Sequence, residues 1–182
     1  NAFSQCDNLL TVNLPSTLYK IGSYAFDGCQ NLKTVTFPDN LEVIMSEAFR
    51  YCSKLTNVKL PKRLKTIGSY AFSGCTMTEI KIPSSVTSIG SSAFSGCDNL
   101  KKIYTATLLP ISIAQSTFST SAYETATLYV PNTSYSTYWL NTEWSQFVDL
   151  QEFDWQDDYF YVDKDYIVDD NTGTVGGKPD GD

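Results

Sequence analysis

The 182-residue chain contains no histidine. That excludes a Ser-His-Asp or Cys-His site built from its own residues. It also removes the commonest nitrogen ligand of zinc. Cysteine is sparse: Cys6, Cys29, Cys52, Cys75 and Cys97 are all there are. Zinc sites use cysteine pairs two to four positions apart. A disulfide framework uses an even number at irregular spacings. Neither pattern is present, so five reduced thiols in small buried slots are expected. No apolar run approaches the roughly twenty residues needed to cross a bilayer, and no signal-peptide pattern occurs. There is no phosphate-binding loop. Scattered acids such as Glu42, Glu47 and Glu79 form no evident facing pair of the kind glycoside hydrolysis needs. These absences predict a protein that is not an enzyme and has no cofactor or metal.

Positive charge is also short, and its distribution is uneven. Residues 1–150 carry eleven Lys/Arg against ten Asp/Glu, whereas 151–182 carry two lysines against ten acids. A nucleic-acid-binding domain leaves a basic footprint, and this chain as a whole, at net −7, leaves none.

What is there is a repeat. Ala-Phe pairs occur at Ala2-Phe3, Ala25-Phe26, Ala48-Phe49, Ala71-Phe72 and Ala93-Phe94, in steps of 23, 23, 23 and 22. The cysteines step identically, and Pro15, Pro38, Pro61 and Pro83 follow at 23, 23 and 22. The short step lies in "GCTMTEI", where Met77 comes one place early. One period shared by several residue types is the signature of a solenoid. Within a unit, "LKTVTFP" alternates with period two, which predicts a short strand buried on one face. Proline ends it. "LEVI" is a second apolar piece with strand character. Gly22, Gly68 and Gly90 in the returning "IGSYAF" turn are expected to allow a backbone shape other residues resist, although Met45 stands at that place in the second unit, so a positive dihedral there is not obligatory. A 23-residue unit cannot bury its own face, so neighbouring units must share a continuous core.

The phrase L-x-x-[VI]-x-[LFI]-P-x-x-[LV]-x-x-I-G-x-x-A-F-x-x-C resembles the BspA-type leucine-rich repeat family over about residues 1–105. Residues 126–147, "ATLYVPNTSYSTYWLNTEWSQF", resemble the closing unit common in those proteins. The resemblance implies a leucine-rich-repeat solenoid of short stacked strands with tight or 3-10 turns and a short C-terminal capping helix. The expected organisation is five repeats of 22–23 residues in 1–105 (the first truncated), a divergent repeat and cap in 106–153, and an acidic tail in 154–182. The chain starts without Met and inside a repeat, so a piece of a longer protein is expected, with leader and earlier repeats absent. The resemblance further implies a secreted or surface-attached bacterial protein engaged in adhesion.

In such a solenoid the alternation points Val12/Leu14, Val35/Phe37, Val58/Leu60, Ile80/Ile82 and Ile103 inward. The outward columns are Thr11, Thr34, Asn57, Glu79 and Lys102, and Asn13, Thr36, Lys59, Lys81 and Tyr104. These ten residues are the candidate binding set for a protein or glycan partner. Strand propensity alone also explains Thr and Tyr there, so a merely solvated face remains an equal reading. Lys59, Lys81, Lys101 and Lys102, with Lys62, Arg63 and Lys65 on the following turn, form a basic strip or a solvated charge run.

Beyond the repeats, "PNTSYSTYWLNTEWSQF" predicts a short helix capped by Asn132 or Ser134. Its apolar side would be Tyr135, Trp139 and Tyr138, with Trp144 and Phe147 covering the last coil. The aromatic cluster reads as closure or as a carbohydrate platform. "FVDLQEF" reads as a final strand. In the tail, "DYFYV" and "DYIVD" are strand-like, and "NTGTVGGKPDGD" has linker composition. The tail is expected to pack on its own solenoid or to mediate self-association through 154–182. Asp163, Asp165, Asp169, Asp170 and Asn171 resemble calcium ligands in content, though their order is not that of an EF-hand. Adhesion or binding at the cell surface is the leading function; a spacer without a ligand is the alternative, and a part in carbohydrate processing a remote one.

Overall fold

The computed structural model describes residues 2–154, 167–169 and 174–176. Its elements are β1 (Thr11–Asn13), β2 (Lys20–Ile21), β3 (Thr34–Thr36), β4 (Val43–Ile44), β5 (Thr66–Ile67), β6 (Glu79–Ile82), β7 (Ser88–Ile89), β8 (Lys102–Thr105), α1 (Thr120–Thr125), β9 (Thr127–Pro131), α2 (Tyr135–Trp139), β10 (Asp149–Phe153), β11 (Ile167–Asp169) and β12 (Thr174–Gly176). Each 23-residue unit makes one coil, and the strands of successive coils pair in parallel. On one side β1 pairs with β3, and β6, β8, β9 and β10 form a four-stranded parallel sheet. On the other side β2, β4, β5 and β7 pair in order. "LEVI" is thus a strand, contributing β4.

The sequence period becomes a contact rule. Phe3, Phe26, Phe49, Phe72, Phe94 and Phe118 form one column of near-parallel rings, with centroids 5.1 to 5.8 Å apart. Offset stacking of this kind adds to the burial of each ring. The backbone of the same corner is a ladder. The amide of Phe26 donates to the carbonyl of Ala48, Phe49 to Ala71 and Phe72 to Ala93, each at 2.8 Å. Alanine suits the corner because Ala48, Ala71 and Ala93 are fully buried and leave no room for a longer side chain.

The cysteines complete this corner. In the five coils that carry a cysteine the phenylalanine carbonyl accepts from the cysteine amide, Phe26 from Cys29 at 3.2 Å for instance. It also accepts from the thiol of the next coil: Cys29 Sγ to Phe3 O at 2.9 Å, Cys52 to Phe26 at 3.2 Å, Cys75 to Phe49 at 3.2 Å and Cys97 to Phe72 at 3.1 Å. Both lone pairs of a buried carbonyl are thereby used, which a buried backbone group requires. All five cysteines are free, as expected. Burial pushes the thiols of Cys52 and Cys97 up to about 12 and that of Cys75 well above its ordinary value.

The glycine expectation needs correction. The left-handed positions are not Gly22, Gly68 and Gly90. They are the residue before Ala (Tyr24, Glu47, Tyr70, Ser92) and the residue before Cys (Gln5, Gly28, Tyr51, Gly74, Gly96). Gly68 and Gly90 serve close approach instead. A Cβ on Gly68 would meet Ser46 N and stand 2.5 Å from the Met45 carbonyl carbon, and one on Gly90 would meet Ser69 N and stand 2.7 Å from the Gly68 carbonyl carbon.

At the C-terminal end Phe118, the last ring of the column, meets Tyr123, Trp144 and Phe147 at 5.3 to 6.0 Å. α1 was not foreseen; Ser119 caps it, accepting from the Ala122 amide at 3.2 Å. α2 falls where a helix was expected, but its buried residue is Tyr138 alone. Tyr135 and Trp139 stack on each other outside, 41 % and 51 % exposed. Ser134 stands at the N-cap without a side-chain bond to the helix. The Tyr138 hydroxyl instead ties α2 to the coil before it. It lies 2.6 Å from Thr107 Oγ1 and 3.2 Å from Thr105 Oγ1, and donates to Thr107 O at 2.9 Å.

β11 and β12 pair antiparallel, Val168 opposite Val175. "DYIVD" therefore holds a strand, and Thr174–Gly176, within the stretch of linker composition, holds its partner. "DYFYV" and the other acidic candidates Asp163, Asp165, Asp170 and Asn171 lie outside the described residues, as does the expected packing of the tail.

Candidate functional site

The strand face is built by register. Thr11 lies opposite Thr34, Asn13 opposite Thr36, and Thr34 bridges to Asn57. In the later coils Glu79, Lys102, Thr127 and Asp149 align in one row, and Lys81, Tyr104, Tyr129 and Gln151 in the next. The inward residues Val35, Val58, Leu60, Ile80, Ile82 and Ile103 are buried, while Val12, Leu14 and Phe37 are half-buried. Eight of the ten outward candidates sit in β1, β3, β6 and β8, whereas the strand expected around Asn57 and Lys59 is reduced to the single bridge from Asn57 to Thr34.

Their surroundings differ along the stack. Thr11, Asn13, Thr34, Thr36, Asn57, Lys59 and Lys102 are exposed, and Glu79 and Lys81 are half-buried. Tyr104 is only 8 % exposed. It stacks on Tyr129 with centroids 4.5 Å apart, and Phe153 meets it edge-on at 5.4 Å. Lys81 Nζ lies 5.7 Å over its ring, within cation–π range. The face thus runs from a hydroxyl- and amide-rich end to an aromatic end. Sequence reasoning missed Tyr129 and Phe153. Their signal was present: "TLYVP" and "DLQEF" alternate with period two like the repeats before them.

The basic strip is broken up. Lys81 pairs with Glu79 at 3.5 Å and Lys65 with Glu42 at 3.0 Å. Arg63 donates to Asn40 Oδ1 at 3.0 Å, and Lys101 to Thr125 Oγ1 at 3.1 Å. Solvent-exposed pairs of this kind contribute little to stability, but they dilute a single-sign field. Among the described residues no group of three metal-ligating side chains converges.

A family model for the BspA type leucine rich repeat region matches six copies over residues 1–123. The chain belongs to the BspA-type leucine-rich repeat family. The matched region includes Phe118, the last ring of the column. A solved T. pallidum leucine-rich repeat protein is 31 % identical, covering 82 % of this chain and 59 % of its own, with a TM-score of 0.58. A leucine-rich repeat protein from Bacteroides ovatus is 26 % identical over 82 % of this chain and 47 % of its own, at TM-score 0.53. The pneumococcal vaccine antigen PcpA shares the fold at 22 % identity and TM-score 0.61, over 79 % of this chain and 41 % of its own. The BspA-type chain thus spans about half the length of these structures. A comparison with curated protein sequences finds no match. No described helix of this leucine-rich repeat protein is long and apolar enough to cross a membrane.

Proposed function

We propose that the protein is a non-catalytic binding module, secreted or attached at the cell surface, that presents its strand face to a protein or glycan partner. One observation carries the reading. Seven outward residues from β1, β3, the Asn57–Lys59 coil and β8 stay exposed on a face whose inward neighbours form the core. Such a face is rigid because every coil below it is packed, so ordering it for a partner costs little entropy. Its polar end offers hydroxyl and amide groups, and at its other end half-buried Tyr129 and Phe153, packed over buried Tyr104, offer aromatic surface. Membership of a surface-protein family supports the extracellular address. Self-association through 154–182 belongs to the same proposal.

The test is capture of immobilised extracellular-matrix proteins and glycans by the soluble chain, wild type against K59E/K81E/K102E. Loss of capture with an unchanged fold supports the strand face. Capture that survives the triple change removes it, and no capture at all leaves the spacer reading.

A further inference from the structure

The corner before each cysteine adopts the left-handed region in every coil, and three of its five residues are glycine: Gly28 (φ 71°), Gly74 (φ 73°) and Gly96 (φ 70°). The exceptions are Gln5 (φ 59°) and Tyr51 (φ 57°). Glycine takes this shape without steric cost, and a bulky side chain does not. Tyr51 does not recover that cost by burial, being 57 % exposed. Tyr24, Glu47, Tyr70 and Ser92 take the same region, so the dihedral by itself marks no site; what sets Tyr51 apart is where its exposed ring stands.

The two exceptions are walls of one groove. Gln5 leans against Gly28, its Cγ 3.3 Å from where a Gly28 Cβ would stand. Tyr51 leans the other way, its ring edge 2.7 Å from where a Gly74 Cβ would stand. Gly28 is left as the floor between them. The groove has a volume of 480 Å³ and is also lined by Asp7, Asp27, Gln30 and Arg50. That size falls within the range of small-ligand sites. Its centre is fixed. Arg50 donates from Nε and Nη2 to both Asp27 oxygens, at 2.8 and 3.1 Å, and its other nitrogen pairs with Glu47. The guanidinium also lies 5.2 Å from the Tyr51 ring centroid and 5.7 Å from that of Tyr24.

We infer that this groove binds a neutral sugar unit of a glycan. Two lining carboxylates, Asp7 and Asp27, stand against the one guanidinium, which Glu47 also pairs from outside the lining; this surplus of negative charge repels sulfated or acidic sugars. A cationic partner finds Asp27 and Glu47 already engaged by Arg50. A neutral pyranose fits both conditions. Its C–H face lies on the exposed Tyr51 ring, and its hydroxyls meet the donors and acceptors of Gln5, Asp7 and Gln30. The site lies on the corner column and does not rest on the strand-face reading.

The experiment is an array of unsialylated, unsulfated oligosaccharides probed with the whole chain, followed by calorimetric titration of the strongest binder at low and high salt. Expected is binding that salt leaves unchanged and that Tyr51→Gly weakens about tenfold or more, with a melting temperature equal to or above wild type. Asp7→Asn, a change at an exposed side chain, weakens it without touching the fold. K59E/K81E/K102E leaves it intact. The inference is overturned if no neutral oligosaccharide binds, or if Tyr51→Gly and Asp7→Asn bind as wild type does. It is equally overturned if only sulfated glycans or a lysine-rich peptide bind in a salt-sensitive way.

Discussion

Gly90→Ala separates two accounts of the glycines in the "IGS" turn. If glycine supplies a dihedral, alanine is costly at Gly22, Gly68 and Gly90 alike. If it supplies close approach, the cost follows the neighbouring coil. At Gly90 a new Cβ stands 2.7 Å from both the Gly68 carbonyl carbon and Ser69 Cα, against an ordinary contact of 3.4 Å or more. Backbone cannot swing aside and Ser69 N stands closer still, so the coils must part by at least about 0.7 Å at this corner. Two ladder bonds cross it: Gly90 N to Ile67 O at 2.8 Å and Tyr70 N to Ser91 O at 3.0 Å. Stretched by that amount they reach or pass the limit of a hydrogen bond, a loss of about 1 kcal/mol each. Overpacking adds about 1–3 kcal/mol. The expected destabilisation is therefore about 3–5 kcal/mol, or roughly 6–20 °C in Tm for a chain of this size. A Cβ on Gly22 meets nothing within 4 Å in this chain, so Gly22→Ala should be neutral or stabilising by up to about 1 kcal/mol through the unfolded state. Thermal and urea unfolding followed by circular dichroism read both. Equal losses at Gly22 and Gly90, or a Gly90→Ala variant as stable as wild type, would refute close approach.

Two further outcomes follow from the buried corner and from α2. The folded thiols of Cys52 and Cys97 hold their protons up to about 12, against an ordinary value of 9.0. Their contribution is complete below pH 9 and is lost as pH rises from 9 towards 12, because the unfolded chain ionises first. Urea midpoints should fall across that window, less steeply in C52A/C97A, and a native-state alkylating reagent should label half-buried Cys6 alone; equal slopes or prompt labelling of all five thiols speaks against it. Tyr138→Phe removes a hydroxyl shared by Thr105 and Thr107 and leaves buried oxygens short of a partner, which should cost about 1–3 kcal/mol in urea unfolding. An unchanged midpoint would mean that this network does not anchor α2.

Much of this fold was legible in the sequence because a solenoid is nearly one-dimensional: a residue's main partners are its counterparts one period away. Ala-Phe and Cys at steps of 23 and 22 therefore announced the stacked coils, their shared core and the free thiols, while the ring column and the amide ladder came from the structure. The period-two alternation assigned Thr34, Thr36, Lys81 and Tyr104 to one face. α1 was missed because a six-residue helix is too short to show a period. Tyr104 shows the limit of the face prediction. Alternation says which way a side chain points, and not whether Tyr129 and Phe153, 25 and 49 residues later, will cover it.

By itself, then, the sequence determined the coil, the core column and the outward set, since each is a repeat of one local choice. Only the tertiary structure decided the rest: why Gly68 and Gly90 must be glycine, where Tyr51 and Gln5 part to open a groove, and which outward residues remain in water. Those depend on the distance between adjacent coils, a quantity set by packing and written in no single repeat.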